Sequence, residues 1–341
     1  MTIRFRRLIM GMALAYVAAL VVVIAFFRLV GERWWVSAVG LFLPRIGFGL
    51  PLVVLVPALL FFKLRRELWT QVVALLLVVV PLMGFTFPAP HFGSAASMRV
   101  LSFNVNSEYS GSEEVAREIL ARHADVVFLQ ESTEWSHIGD ILKRTYPTVA
   151  ESTQFVLATR YRLVETTDPP RIPYYQRERS PRFMRYVLVT PFGTVTFYSV
   201  HPLSPREAFN ALRGQGLTHE VRSGRLFEGA HARDIGVNAG LRMLQLEHIG
   251  AMVRKENRPT IVVGDTNQPG LSAVFAEELG QLGDAFEQGG SGFGYTYPSR
   301  HPWMRIDKIL LSSEFRARNF EDGCSSVSDH HCVFADVTAG H

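Results

Sequence analysis

Near its C-terminus the chain reads SVSDHHCV, Ser326 to Val333, with an Asp, two His and a Cys on consecutive positions. All of these side chains can bind metals or move protons. Successive residues of a strand point to opposite faces, so Asp329, His330, His331 and Cys332 cannot all meet one ion. Structural zinc sites also space their ligands. Only part of this cluster is therefore available to a single site. Similar residue types recur where short apolar runs end: Asn104 and Asn106 after VLSF, Glu131 after VVFLQ, His201 after VTFYSV, and Asp265 and Asn267 after TIVVG. Asp307 lies within RIDKIL. Carboxylates, carboxamides and imidazoles converging from strand ends form an oxygen-rich set that suits Mg²⁺ or Mn²⁺ better than Zn²⁺. Each residue alone has an ordinary explanation. Asn104 suits a turn, Glu131 a helix cap, GDTN a turn and His201 an exposed loop, while Asp307 could pair with Arg305 or Lys308. Their joint occurrence is what points to chemistry.

The elements that must position these residues are short apolar strands separated by helical stretches. Strands are predicted at 98–106, 125–131 and 259–267, and in QFVLATR, RYVLVTPF, TVTFYSVH, RIDKILLSS and HCVFADVT. Helical spacing is found at 112–124, with Ser112 as a possible cap, and at 239–256. This alternation predicts one α/β domain around a two-layered sheet core. Three segments remain outside the pattern. Residues 206–238 are polar and Gly-rich, as functional or mobile loops are. GGSGFG at 289–294 lacks the Lys and the flanking strand of a phosphate loop and reads as a flexible loop. Residues 160–185 carry seven Arg among Tyr and Phe; they could grip a phosphate backbone or anionic headgroups, or form a solvated loop.

The first 90 residues differ in character. Apolar runs at 8–30, 46–62 and 68–87 approach the roughly 20 residues that span a bilayer. The middle run is interrupted at its start by Pro44, Arg45, Gly47, Gly49 and Pro51, so it could be a short span, a kinked one or a re-entrant segment. A cleaved signal peptide is the alternative for the first run. Arg4, Arg6 and Arg7 precede the first run, and Lys63, Arg65 and Arg66 separate the second from the third. The positive-inside rule then predicts a cytoplasmic N-terminus and, after three spans in the inner (plasma) membrane, an extracytoplasmic remainder. The net charge of +4 follows the same division. Residues 1–93 hold nine Lys/Arg and two Glu, leaving 26 Lys/Arg and 29 Asp/Glu to residues 94–341, a net of −3. The basicity therefore belongs to the membrane flanks and is not a nucleic-acid footprint. Cys324 and Cys332, the only cysteines, could pair outside the cytoplasm.

Taken in order, SFNVN, FLQES, YSVHPLSP, VVGDTN, RIDKIL and SVSDHH resemble the endonuclease/exonuclease/phosphatase (DNase I-like) superfamily over about residues 98–337. The resemblance implies a four-layered α/β sandwich and metal-dependent cleavage of phosphoester bonds. Together with the apolar runs and the Pro/Gly/Ser-rich stretch after them, this divides the chain into a transmembrane region of about three helices (1–90), a linker (91–97) and a catalytic domain (98–341). The resemblance implies that Glu131 is the principal metal ligand with Asn104 or Asn106 beside it and Asp329 near the metal. Asp265 and Asn267 would align the attacking water and contact the phosphate. His330 would contact the phosphate or assist proton transfer, oriented by Asp307, and His201 would also face the phosphate. Cys332 and Val333 depart from the family's usual ending after SDH. The reading taken is a nuclease-type hydrolase acting on nucleic acid; the alternative is a phosphodiesterase or phosphatase acting on a membrane phospholipid, sphingomyelin-like lipid or lipid-linked phosphate.

Overall fold

The structure is a computed structural model that describes residues 3–87, 96–133, 135–206 and 230–340. Most of the predicted linker, and residues 207–229 of the patternless stretch, lie outside the described residues. The rest of the C-terminal region forms two six-stranded sheets and a two-stranded ribbon.

The first sheet runs β13 (Phe315–Gly323), β14 (Cys332–Ala339), β1 (Met98–Asn104), β2 (Val126–Gln130), β4 (Phe155–Thr159) and β3 (Thr148–Ser152). The second runs β11 (Gly283–Asp284), β12 (Asp307–Leu311), β10 (Thr260–Asp265), β9 (Gly193–Val200), β8 (Phe183–Thr190) and β5 (Arg162–Thr167). The ribbon is β6 (Ile172–Tyr174) and β7 (Arg177–Arg179). Both sheets are built alike at the centre. β1 pairs parallel with β2 and antiparallel with β14, and β10 pairs parallel with β9 and antiparallel with β12.

The period of two along each strand explains the layering. From β1, Val100 enters the core between the sheets, with Phe128, Phe197, Ile261 and Ile309, while Leu101 and Phe103 face outward. That outer face is covered by helices Ser112–Leu120 and Ile138–Leu142. On the second sheet Val200, Val262 and Leu310 pack under the helix Ala230–Lys255 and the helix Ala273–Leu279. Helix, sheet, sheet, helix is the four-layered α/β sandwich expected from the sequence. Some details differ. Ser112 does not cap its helix; it is the first helical residue, and its hydroxyl donates to Glu108 at 2.5 Å. The seven arginines of 160–185 do not form one patch. Arg160 pairs with Asp125, Arg185 with Glu165 and Glu256, and Arg182 turns to His201.

The N-terminal region is helical. α1 (Ile3–Leu29) is long and apolar enough to cross a membrane alone. α2 (Trp35–Phe42) and the segment Arg45–Phe61, which contains α3 (Leu50–Phe61), meet at 91° and qualify as one broken span or as a re-entrant loop. α4 (Leu68–Leu77) runs into a π-helical turn, Val78–Leu82, carrying Pro81. Together these reach roughly 22 Å at 1.5 Å per residue, short of the ~30 Å hydrocarbon core. By length, then, the third apolar run does not form the full span expected, and one helix, or two with the bent pair, meets the criterion. Apolar side chains such as Leu14, Val22, Val53, Val54, Phe61 and Leu76 are exposed on these helices, as lipid-facing residues are.

Buried polar contacts dock this bundle on the sandwich. Arg45 is buried and donates to the carbonyls of Leu41, Leu82 and Gly270. Trp303 Nε1 donates to the Phe42 carbonyl at 3.2 Å, and Tyr295 to that of Met83 at 2.9 Å. The Arg242 guanidinium lies over the Phe42 ring, 5.3 Å from its centre.

Candidate active site

Six chain segments end at one edge of the sandwich. Asn104 is the last residue of β1, and Glu131 follows β2. His201 follows β9, and Asp265 ends β10. Asp307 begins β12, directly opposite Asp265 in the register. His330 lies two residues before β14. The parallel central pairs bring strand C-termini to this edge, and the antiparallel neighbours add strand N-termini to it. The backbone turns sharply here. Glu131 and Asn267 have φ of 57° and 46°, the left-handed region that non-glycine residues seldom adopt. Gly264, at φ 141°, lies against β9, where an added Cβ would meet the Val200 carbonyl oxygen at 2.0 Å. The glycine in VVGDTN is thus required by the close approach of two backbones just below Asp265.

The side chains form a connected set. Asn104 Nδ2 donates to Asp265 Oδ2 at 3.1 Å. Asn267 donates to Asp265 from its backbone N at 2.8 Å and from Nδ2 at 3.3 Å, and also to the Pro202 carbonyl. Asp307 holds His330 Nδ1 at 3.0 Å, which leaves Nε2 3.7 Å from Asp265 Oδ2. His201 Nε2 lies 3.2 Å from Glu131 Oε1 and 3.7 Å from Asp265 Oδ2, without the angle of a hydrogen bond. Thus Asn104, Glu131, His201, Asp265, Asn267, Asp307 and His330 come together. Asn106 and Asp329 are placed differently. The Asn106 backbone N holds Asn104 Oδ1 at 3.0 Å. The Asp329 carboxylate accepts from Arg206 at 2.5 Å. Asp307 pairs with neither Arg305 nor Lys308: Arg305 goes to Asp284 at 2.5 Å, and Lys308 Nζ donates to the Arg305 carbonyl.

Burial sharpens the electrostatics. It pushes Asp265 above the usual carboxylate range, and the neighbouring Asp307 adds to this against the pull of the imidazoles. Burial opposes charge on His330 too, but Asp307, then Asp265, outweigh it and raise the imidazole to about 9. Burial likewise works against an ionised Glu131, yet the close His201 imidazole, with Asn104 beside, brings it down to about 2. One carboxylate is thus held anionic, another is made basic, and one imidazole stays protonated at neutral pH. The donor set is mostly oxygen, and Asp265 and Asp307 crowd negative charge beside it. Both features fit a hard divalent cation. Asp265, Asp307 and His330 each offer a ligand-type atom within 4.8 Å of the others.

Sequence reasoning gave no role to several supporting residues. Gln154 Oε1 accepts from His201 Nδ1 at 2.7 Å, and Arg182 Nε donates to the His201 carbonyl at 2.8 Å. The Tyr297 ring packs 4.7 Å from that of His330, and its hydroxyl accepts from Arg206 at 2.7 Å. Ser328 Oγ donates to the Asn104 carbonyl and accepts from the His330 backbone N, tying the first motif to the last. None of these belongs to a strand-end run of acidic, amide and imidazole groups. His331, the other histidine of the cluster, is structural, bonded to Asp322 and to the Ser299 carbonyl. A disulfide joins Cys324 to Cys332 and brackets the segment that carries His330. Glu131, Asp265, Asn267 and His330 line a cavity of about 490 Å³.

The family model described as Endonuclease/Exonuclease/phosphatase family matches residues 101–330, well over half of the sequence. The chain belongs to this family, whose members hydrolyse phosphoester bonds, commonly with divalent metals. Two similar solved structures are an endonuclease/exonuclease/phosphatase from Beutenbergia cavernae DSM 12333 (17% identity, 72% of each chain, TM-score 0.50) and truncated Caenorhabditis elegans TDP2 (18% identity, 71% of this chain and 98% of that one, TM-score 0.50). A third is SmcL (13% identity, 71% and 99%, TM-score 0.50). At these identities the likeness is one of fold. No curated protein matches the chain.

Proposed function

We propose that the chain is a membrane-anchored phosphodiesterase that uses Mg²⁺ or Mn²⁺. The observation that carries this reading is the connected set Asn104–Asp265–His330–Asp307, with Glu131 at its open side. In this reading Glu131, Asn104 and Asp265 hold the cation. Asn106 acts by fixing Asn104, and Asp329 by fixing Arg206. When bound, the cation neutralises charge on the phosphoryl oxygens. The residues supply the rest. Asp265 takes the proton of the attacking water, while Asn267 and His201 orient water and phosphate. His330, kept protonated by Asp307, donates Nε2–H to the phosphoryl group as its charge grows. Water adds to phosphorus, one ester P–O bond breaks, and the leaving oxygen takes a proton.

Glu131→Ala, Asp265→Ala and His330→Ala should each lower Mg²⁺-dependent turnover of bis(p-nitrophenyl) phosphate by roughly 10²–10⁴-fold. Wild-type turnover in His330→Ala, with an unchanged melting curve, would reject the assignment. Addition of EDTA should abolish the wild-type rate, and Mg²⁺ should restore it.

We further propose a three-pass arrangement with the catalytic domain extracytoplasmic, in which α1 is the full span and the bent pair and the short third helix cross by local thinning of the bilayer. Phe5 and Phe62 touch at one end of the bundle, 5.1 Å between ring centres. This supports placing Arg6, Arg7 and the Lys63–Arg66 turn on one side. Arg45, Leu82 and Gly270 meet at the other end. The disulfide suits an oxidising compartment. A periplasm-dependent reporter fused after His341 should be active; activity of a cytoplasm-dependent reporter instead would overturn the topology.

A further inference from the structure

The active-site cavity is not made by the sandwich alone. Phe42, Leu43 and Pro44 line it, and these residues form the corner where the bent apolar pair turns through 91°. Trp303 and Met304 continue the wall from the catalytic side and pack in one apolar cluster with Phe42, Leu82 and Phe27 of the bundle. The corner is fixed, not draped. Arg45 ties it to the carbonyl of Gly270, which lies in the loop leaving Asp265 and Asn267. Trp303 Nε1 holds the Phe42 carbonyl. Leu43 is nonetheless 53% exposed, and beyond the corner Ile46 and Leu50 are exposed too. One part of the cavity lining is therefore catalytic, and another part, Phe42 to Pro44, adjoins exposed apolar residues of the helices.

We propose that the substrate is a phosphodiester lipid in the bilayer that holds this chain. Its phosphate enters between Glu131 and His330, and its hydrocarbon chains stay in the membrane beside Leu43. The inference rests on the phosphodiesterase reading of the same site. A cavity of about 490 Å³ accommodates a headgroup-sized polar group but not two acyl chains as well, so the chains need the apolar exit past Leu43. The bundle end that carries the corner lies opposite the basic turn, which places the cavity at a membrane surface, the level where lipid phosphates sit. The net −3 of residues 94–341 offers no general attraction to a long polyanion. Hydrolysis of such a lipid gives an alcohol and a phosphate monoester, one of which keeps the chains and remains in the bilayer.

The test uses the full chain, reconstituted with Mg²⁺ into vesicles of phosphatidylglycerol and, separately, of sphingomyelin. The chainless diester glycerophosphoglycerol and a short single-stranded DNA are assayed alongside. Lipid phosphodiester in at least one vesicle type should be cleaved with kcat/KM about ten-fold or more above the chainless diester, and DNA should be cleaved more slowly than lipid. Leu43→Asp should lower the lipid-to-chainless ratio by about ten-fold, the scale of losing one leucine's apolar contact. The wild-type comparison decides the matter even if that variant does not fold. Equal turnover of chain-bearing and chainless diesters, or faster turnover of DNA, overturns the lipid assignment and leaves the phosphodiesterase standing. No cleavage of any of these, nor of bis(p-nitrophenyl) phosphate, removes both.

Discussion

The arrangement of Asp265, Asp307 and His330 shows why neighbouring acidic groups need not do the same work. Asp307 is fully buried and spends its carboxylate on His330 Nδ1. Asp265 faces the cavity and meets the other side of the same imidazole. Asp307→Asn keeps the size of the side chain but removes the charge that holds His330 protonated. Turnover of bis(p-nitrophenyl) phosphate at neutral pH should fall by roughly 10²-fold or more, with little change in KM, because the lost interaction acts on charge that develops only in the transition state. A rise in KM with kcat intact would place Asp307 in ground-state binding instead.

At the scale of elements, the site depends on how closely β9 and β10 approach. Gly264→Ala puts a Cβ on the Val200 carbonyl at a position whose φ already disfavours side chains. The expected loss is well over 1 kcal/mol, seen as a lower melting temperature and, because Asp265 is next in the chain, a lower turnover. A second element is pinned by charge. Arg185 on β8 holds Glu256, just beyond the helix Ala230–Lys255, at 2.7 Å, with both side chains nearly buried. Burial opposes the Glu256 charge, but Arg185 outweighs it and lowers this carboxyl. A depressed carboxyl stabilises the fold above its unfolded pKa, and that contribution is lost as pH falls through the folded value. Glu256→Gln should therefore cost roughly 1.5–3 kcal/mol at pH 7, and its melting curve should converge on the wild type in acid. A gap that persists unchanged at pH 3 would show that charge is not the cause.

At the scale of the whole molecule, the N-terminal helical bundle and the sandwich share a wall. Arg45 is the bolt between them: it is buried, and it serves three carbonyls from two helical segments and the loop that follows Asn267. Arg45→Ala strands those carbonyls, each at about 1–3 kcal/mol. The variant should become sensitive to protease in the loops around Gly270 and lose turnover although no strand-end residue has changed. Protection equal to wild type would mean that the two parts are held together elsewhere.

The sequence by itself determined the candidate site groups and the sheet core. Short apolar runs ending in Asn104, Glu131, His201 and Asp265 predict strands with polar, potentially functional ends. Those signals are local, and local signals survive in a linear reading. What the sequence left open depends on distance in space. Gln154, Arg182 and Tyr297 lie on other segments with no shared spacing, and only the fold brings them to His201 and His330. Asp329 adjoins His330 in sequence, yet its carboxylate is taken up by Arg206, because neighbouring side chains leave the backbone in different directions. The length of an apolar run did not reveal where its helix would break, so the third run reads as a span but folds as a helix with a π-turn. That Leu43 and His330 line one cavity was decided by the tertiary structure alone, because the burial of Arg45 against Gly270 sets the bundle on the sheet edge where the strands end.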